Sequence, residues 1–351
     1  MEPVTHLLTG ACLGRSGFNR KTAYATLAMT LAAEAPDLDM LWRLRGPVAE
    51  LQHHRGWTHT FLGAPVVAAA VTLFCWGFHR FRRKQPPIPP RWSLVWAFAL
   101  IAALSHILLD FTNNYGVRPF LPFSPHWYHW DIVFIFEPVL FAFLLAGLLA
   151  PAILGMVDRE IGARKTGFRG RGWAIFALAG VAGVWVARST EHARAVQLLR
   201  ETSLDRPALQ VAAEPYPFNL FHWQGIAETD NAYHLADIQT KNRRVDLDER
   251  EGVFYKASVT PAVAAAKQSW LGRVYLGWSQ FPLVEDIGPA TPPGTAATPG
   301  LRLEQVDFHD MRFGYTDWFG THQSRKPLSG TVYVAPDGQI EAMYMGHRPQ
   351  N

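Results

Sequence analysis

Four long apolar segments restrict most strongly how this chain can fold, because each one approaches the thickness of a bilayer. They cover residues 61–79, 92–109, 132–157 and 173–187. A helix needs about 20 mostly apolar residues to cross a membrane, with a range of roughly 17 to 25, so the fourth segment is marginal on length alone. The sequence therefore predicts a bundle of four transmembrane helices.

Two shorter apolar segments come before this bundle. They cover residues 4–14 and 22–35, and each is too short for a clear span. We predict that they form an N-terminal helical hairpin, which dips into the bundle or packs on it. The predicted fold class of residues 1–187 is a mainly α membrane helical bundle.

The C-terminal half has a different pattern. From about residue 204 the chain contains short runs with strand character, and its charged residues, Pro and Gly are spread as in a soluble domain. Alternation in VDFHDMRFGY directs Val306 and Phe308 toward a core, and the Asp-Gly pair of APDGQI predicts a hairpin turn. We predict a small β-rich α+β domain over residues 188–351, linked to the last span by a helix at 191–200.

Basic residues are concentrated in two loops between the apolar segments. Residues 80–91 contain five Lys or Arg and no acid, and residues 158–172 contain five against two acids. Because cytoplasmic loops carry an excess of Lys and Arg, both loops are predicted to be cytoplasmic and the C-terminal domain extracytoplasmic. The net charge of +4 is explained by this topology, so we expect no nucleic-acid partner.

His and Asp residues recur at the ends of the apolar segments, on the side predicted to face outward. His106 and Asp110 are four residues apart, which puts both on one face of a helix. Imidazole and carboxylate ligands together suit Zn, Mn or Fe. Ionisable groups at membrane depth are energetically costly, so their presence there indicates a function. His6 opens the first apolar segment, and the residues on the outward side are Asp37, Asp39, His53, His54, His59, His106, Asp110, His126, His129 and Asp131.

Each of these residues also has a structural interpretation. His106 and Asp110 could form a hydrogen bond at a helix end instead of a metal site. Asp37 and Asp39 follow Pro36, and two residues apart in an extended stretch face opposite ways, so we expect one to bind metal while the other caps a helix or supports a ligand.

In HHRGWTH, Arg55 and Gly56 form a turn that lets His54 and His59 approach a common centre, with His53 interpreted as a bystander. Arg55 either pairs with a carboxylate or grips an anionic substrate.

Two further carboxylates are predicted ligands with an equally strong structural alternative. Asp131 and Glu137 lie at or within the helix that follows the aromatic loop, where an unpaired carboxylate would be expensive. Pro138 could kink that helix and aim Glu137 inward. In the same loop, Trp127 and Trp130 are interpreted as part of an interfacial aromatic belt.

Four motifs in order, THLLTG, APDLD, HRGWTHT and HILLDFTNNYGVRPFLPFSP, resemble those of the YdjM/YfhP-type family of membrane-bound metal-dependent hydrolases. The resemblance covers about residues 1–150. It implies a helical bundle distantly similar to zinc-dependent phospholipase C and P1-type nuclease, in an integral protein of the bacterial inner membrane. It also implies ligand roles for His6, Asp37 or Asp39, His54, His59 and the H-x3-D pair of His106 and Asp110. A second such pair is missing, since His126 and Asp131 are five apart, which leaves the number of ions open.

These features favour a metal-dependent hydrolase at the outer membrane–water interface. A divalent metal, with Zn preferred and Mn or Fe as alternatives, would activate water, and Asp37, Asp39 or Asp110 would orient or deprotonate it. Arg55 completes the predicted catalytic group, and a membrane lipid or another phosphoester is the expected substrate. The alternative is a non-catalytic protein in which metal staples the helices and the C-terminal domain binds or regulates a partner. An ion or proton transporter is the weakest hypothesis, because the polar groups crowd at one membrane face.

Overall fold

The structure is a computed structural model that describes residues 1–160, 170–247, 252–293, 302–314 and 328–350. It divides into two compact units, the first made of Met1–Asp39, Arg55–Glu191 and Pro215–Leu220, the second of Met40–His54, His192–Glu214 and Phe221–Asn351. The predicted domain boundary after residue 187 stays a prediction. The second basic loop is described only at its two ends, because residues 161–169 lie outside the described ranges.

The α-helices follow the predicted order. They are α1 (Pro3–Arg15), α2 (Ala25–Glu34), α3 (Pro47–His53), α4 (Gly63–Phe81), α5 (Trp92–Thr112), α6 (Pro138–Glu160), α7 (Gly170–Glu201), α8 (Pro261–Gln268) and α9 (Trp270–Trp278). Short 3₁₀ helices cover Phe18–Arg20, Ala35–Arg45, Trp57–His59, Thr240–Asn242 and Met311–Phe313.

Four of these helices are long and apolar enough to cross a membrane, which confirms the predicted bundle. The candidate spans are Gly63–Phe81, Trp92–Thr112, Pro138–Met156 and Gly170–Glu201. Large apolar side chains such as Val66 and Leu73 are exposed on α4, as expected for a surface that faces lipid. The third span begins at Pro138 and not at residue 132, since proline is well suited to the first turn of a helix.

The predicted N-terminal hairpin is formed by α1 and α2, and small residues let these helices approach closely. A Cβ added to Gly10 of α1 would lie 2.4 Å from the carbonyl oxygen of Met29 on α2. Alanines then dominate the buried contact of α2 with α5, among them Ala28, Ala32 and Ala102. Side chains this small let backbones come together, as in other membrane helix pairs. The packing brings the start of α1 and the end of α2 against the last turns of α5.

The second unit contains two antiparallel sheets of five strands each. The first has the order β1-β2-β3-β4 with β5 on β3, and the second the order β10-β9-β8-β7-β6. The strands are β1 (Gln210–Pro215), β2 (His222–Glu228), β3 (Ala232–Gln239), β4 (Arg244–Leu247), β5 (Val253–Tyr255), β6 (Pro282–Ala290), β7 (Leu303–Asp310), β8 (Gly330–Val334), β9 (Ile340–Met345) and β10 (Arg348–Pro349).

The local predictions for this unit agree with the strands. Val306 and Phe308 are buried, as the alternation indicated. The Asp-Gly turn joins β8 to β9, with Gly338 at a φ of 84°, a left-handed conformation that glycine adopts without steric cost. A membrane helical bundle followed by a β-rich C-terminal region is therefore the observed fold class.

The segment 40–54, which contains α3, belongs to this second unit. The side chain of Gln350 accepts a hydrogen bond from the amide of Val48 at 2.9 Å and donates one to the carbonyl of Arg45 at 3.0 Å. The indole of Trp270 on α9 donates to the Gln52 side chain at 2.9 Å. The chain between Asp39 and Arg55 is thus held by residues from the end of the sequence.

Candidate metal centre

Four buried side chains of the first unit converge near one end of α5. Asp37 comes from the 3₁₀ helix that follows α2, His59 from the 3₁₀ helix before α4, and His106 and Asp110 from the same face of α5. One ligand atom from each lies within 4.8 Å of the others. The structure therefore brings together four of the predicted ligands from three separate stretches of chain.

The distances between these atoms suit a single small cation. The two Nε2 atoms of His59 and His106 are 2.9 Å apart. Oδ2 of Asp110 lies 3.4 Å from each of them, and Oδ1 of Asp37 lies 3.3 Å from Nε2 of His59 and 3.6 Å from Nε2 of His106. Bonds of about 2.0–2.2 Å to a tetrahedral zinc ion separate the ligand atoms by about 3.4 Å. Four of the five separations are close to this value and the Nε2–Nε2 distance is shorter, so the group could hold a metal ion.

Hydrogen bonds at the far side of each ring determine which nitrogen carries the proton. Nδ1 of His106 lies 2.6 Å from the carbonyl oxygen of Ala33, which can only accept, so Nδ1 is the donor. Nδ1 of His59 lies 3.1 Å from Oδ2 of Asp39. In the neutral rings both Nε2 lone pairs then point into the cluster, toward two carboxylate oxygens. This second layer of partners is typical of histidines that bind metal.

Arg55 contacts the cluster through Asp110. Its Nη2 donates to Oδ1 of Asp110 at 2.8 Å, and its Nη1 donates to the carbonyl of Gly116 at 2.7 Å and to Asn113 at 3.1 Å. The guanidinium also stacks over the ring of Tyr115, 4.6 Å from its centroid. The amino group of Met1 donates to the same Asp110 oxygen. Of the two interpretations of Arg55, these contacts match the pairing with a carboxylate.

Asp39 serves both the ring of His59 and the turn that carries Arg55. Besides its contact with His59, its Oδ2 accepts from the backbone amide of Arg55 at 2.9 Å and from the hydroxyl of Thr58 at 3.1 Å. Arg55 has a φ of 54°, an unfavourable value for a residue with a side chain, and the bond from Asp39 helps to hold it. Asp37 thus points into the cluster while Asp39 supports a ligand. The 35–45 stretch is a 3₁₀ helix, however, and not the extended stretch we expected.

The carboxylates dominate the electrostatics of the cluster. Burial acts to lower the pKa of His59, but the carboxylates of Asp110, Asp37 and Asp39 outweigh it and raise this pKa from 6.5 to about 10. Burial acts to raise the pKa of Asp37, yet the His59 hydrogen bond and His106 hold it below its usual value. A strong local demand for positive charge follows, which a bound cation would satisfy.

His6 lies beside the cluster without belonging to the group of four. Its ring stacks on that of His106, with centroids 3.8 Å apart, and its Nε2 is 3.4 Å from Oδ1 of Asp110. Burial, followed by the nearby His106, lowers its pKa to about 3, so the ring is neutral. Neither ring nitrogen has a hydrogen-bond partner in the described part of the chain. Its predicted role as a ligand stays a prediction.

Two other predicted ligands, Asp131 and Glu137, lie elsewhere. Nδ1 of His129 is 2.5 Å from Oδ2 of Asp131, and Oε2 of Glu137 accepts from Nη2 of Arg188 at 2.6 Å. Neither Asp131 nor Glu137 is part of the four-residue cluster, because each has found a different partner. His54 ends the 40–54 segment of the second unit, so its ligand role also stays a prediction.

One carboxylate near the cluster was missed by the sequence reasoning. Glu34 is the last residue of α2, three residues before Asp37, and its Oε2 is buried without a hydrogen-bond partner among the described residues. Burial, then Asp37 and Glu2, raise its pKa to about 8. Its place one turn before Asp37 could have drawn attention to it, since residues three apart share a helix face.

Comparison with known proteins identifies the family. Residues 1–195 match the YdjM inner membrane protein family, more than half of the chain. The chain belongs to this family. The YdjM match includes all four cluster residues and the four candidate spans up to residue 195, and together with those apolar helices it establishes a membrane location.

A similar protein is the "Uncharacterized protein YfhP" of Bacillus subtilis (strain 168). It is 26% identical over 158 residues, which are 42% of this chain and 45% of the relative. The matched region thus spans less than half the length of that relative. No solved structure matches the chain.

Proposed function

We propose that this protein is a membrane-embedded, metal-dependent hydrolase that cleaves a phosphoester or a lipid-like ester. One observation supports it above the others. Two imidazole nitrogens, 2.9 Å apart, and two carboxylate oxygens meet in a buried cluster. Such a set of Lewis bases requires positive charge at its centre, as the raised pKa of His59 indicates, and a bound divalent cation would supply it.

The residues present fit a divalent metal, with zinc favoured by two nitrogen and two oxygen ligands at tetrahedral spacing. Asp37, His59, His106 and Asp110 would hold it. A metal bound there supplies a Lewis acid and lowers the pKa of water toward neutrality. The carbonyl of Ala33 and the carboxylate of Asp39 keep the two rings in the binding tautomer, and Arg55 offsets the charge on the outer oxygen of Asp110.

The position of the cluster along α4 and α5 supports a site at one membrane boundary. His59 comes just before the start of α4, and Asp110 lies in the last turn of α5. The basic loop 80–91 connects the opposite ends of these helices, about 28 Å away for a helix of 19 residues. With that loop in the cytoplasm, the cluster faces the outer interface, where lipid headgroups present phosphoesters.

Elemental analysis of the purified protein tests the proposal. We expect bound divalent metal and hydrolysis of a phosphoester panel in the wild type, and loss of both in His106→Ala and in Asp110→Asn. His126→Ala, which removes an exposed imidazole, is the matched control and should keep both. Size-exclusion profiles check that each variant is folded. Full metal content in folded His106→Ala and Asp110→Asn would contradict the metal site.

A second function is supported by the burial of the cluster. His59, His106 and Asp110 are fully buried, and four ligands can complete a closed tetrahedral site of the structural kind. A non-catalytic protein in which metal joins α5 to the 3₁₀ helices at Asp37 and His59 is therefore the competing proposal. It predicts that chelation lowers the unfolding temperature strongly and that no substrate in the panel turns over.

A further inference from the structure

The carboxylates of Asp37, Asp110 and Asp39 already make contacts within the site. Asp37 and Asp110 direct oxygens at the two Nε2 atoms, and the outer oxygen of Asp110 accepts from Arg55. Asp39 accepts from the Arg55 amide and from Thr58. These contacts use Oδ1 of Asp37, Oδ1 of Asp110 and Oδ2 of Asp39 for binding and support. A separate group that exchanges a proton with water would leave them in place during hydrolysis.

Glu34 is adjacent in sequence to residues of the site, and among the described residues no hydrogen bond involves its carboxyl group. The residue before it, Ala33, receives the His106 hydrogen bond on its carbonyl oxygen, and Asp37 follows within one turn. The backbone of Glu34 is therefore fixed on both sides to the cluster. Glu34 as a whole is half-buried. Its Oε2 atom, however, is buried and has no hydrogen-bond partner among the described residues. A buried polar atom without a partner calls for an explanation, and a catalytic role is one such explanation.

The charged groups around Glu34 come from three elements. Asp37 on the 3₁₀ helix, Glu2 at the start of α1 and Asp110 on α5 raise its pKa, and burial is the largest cause, while the amino group of Met1 acts in the opposite direction. The resulting pKa of about 8 lies near neutral pH. Catalytic acids and bases work best when their pKa lies close to the working pH.

We propose that Glu34 is the proton-transfer residue of this site. The inference rests on the proposed hydrolase function. In it, the Glu34 carboxylate accepts a proton from water as the water oxygen forms a bond to phosphorus. The bond from phosphorus to the leaving oxygen then breaks, and the protonated Glu34 returns that proton to the leaving oxygen. Water and the ester are consumed, and an acid and an alcohol are formed.

The test compares Glu34→Gln with the wild type for kcat, pH dependence and metal content. General acid–base catalysis contributes roughly 100-fold to 10,000-fold, so we expect kcat to fall by at least about 100-fold. We also expect the rising limb of log kcat/KM against pH to disappear, because the base that must be ionised is gone. Metal content should stay at the wild-type level, since Glu34 is not in the four-residue cluster.

Two further measurements separate this role from a structural one. The unfolding temperature of Glu34→Gln should be equal to or higher than that of the wild type, because Glu34, with its raised pKa, has to take up a proton on folding and glutamine does not. Glu2→Gln is the matched control. It removes a neighbouring carboxylate whose oxygens cap α1 through Val4 and Thr5, so it should keep most of the activity.

The outcomes distinguish the two proposals. If wild-type protein binds metal but hydrolyses nothing in the panel, the hydrolase proposal and the Glu34 role both fall. If the wild type is active and Glu34→Gln keeps its kcat and pH profile, only the Glu34 role is overturned. Loss of metal in Glu34→Gln would overturn it as well, because Glu34 would then be a ligand.

Discussion

At the scale of single residues, the orientation of His59 depends on Asp39. Oδ2 of Asp39 lies 3.1 Å from Nδ1 of that ring and also accepts from the Arg55 amide. Removing a partner behind a metal-binding histidine costs about 10-fold to 100-fold in metal affinity. We expect Asp39→Ala to weaken zinc binding by that factor, as measured by competition with a chelator. Asp131→Ala, outside the cluster, is the control, and equal affinities in the two variants would refute the supporting role.

The sequence predicted the cluster members better than their partners. The spacing of His106 and Asp110 fixed them on one helix face, and the Asp and His motifs supplied Asp37 and His59. The carbonyl of Ala33 could not be predicted, because every residue has one and only the packing of α2 on α5 selects it.

Two predicted ligands lie elsewhere because their partners, too, could not be predicted from the sequence. Asp131 and Glu137 were predicted as ligands because unpaired carboxylates are costly there. The structure gives Asp131 a partner two residues away and Glu137 one 51 residues away. Neither partner follows from the spacing of metal-ligand motifs.

At the scale of elements, the pair of Glu137 and Arg188 joins the start of α6 to α7. Arg188 also donates to the carbonyl oxygens of Tyr216 and Asn219, so one guanidinium holds three parts of the first unit. Both side chains are nearly fully buried. Loss of one partner from a buried pair typically costs about 3–5 kcal/mol, because the other charge is left without compensation.

We therefore expect Glu137→Leu to lower the free energy of unfolding by about 3 kcal/mol or more. The measurement is denaturant unfolding in detergent, followed by circular dichroism. The double variant Glu137→Leu, Arg188→Met should recover part of this loss, since it removes both charges. Simple addition of the two single effects would argue against coupling between them.

The elements themselves show which sequence patterns were informative. Apolar length predicted all four spans, because bilayer thickness sets it directly. The 3₁₀ helix Ala35–Arg45 was not predicted, since Pro36 suggested an extended stretch and the helix is stabilised by the contacts of Asp37 and Asp39. Local propensity was overridden there by the site.

At the scale of the whole molecule, the charge of the 80–91 loop predicts which side of the membrane each part faces. The native thiols of Cys12 and Cys75 are buried, so an introduced cysteine can be labelled selectively. We expect a membrane-impermeant maleimide to label Leu209→Cys in intact spheroplasts and to label Arg82→Cys only after lysis. Both positions are exposed. The reverse pattern would place the β-rich region in the cytoplasm and the candidate site at the inner face.

The hydrogen bonds between Gln350 and residues 45–48 limit how a shorter relative can be built. The family match ends at residue 195, before any of the strands, yet the stretch that ties Asp39 to Arg55 is secured by the last residues of the chain. A shorter relative without those strands has to anchor this stretch by some other means. Grafting residues 1–195 alone would therefore carry over the metal-binding side chains and leave residues 45–48 without the hydrogen bonds that Gln350 makes.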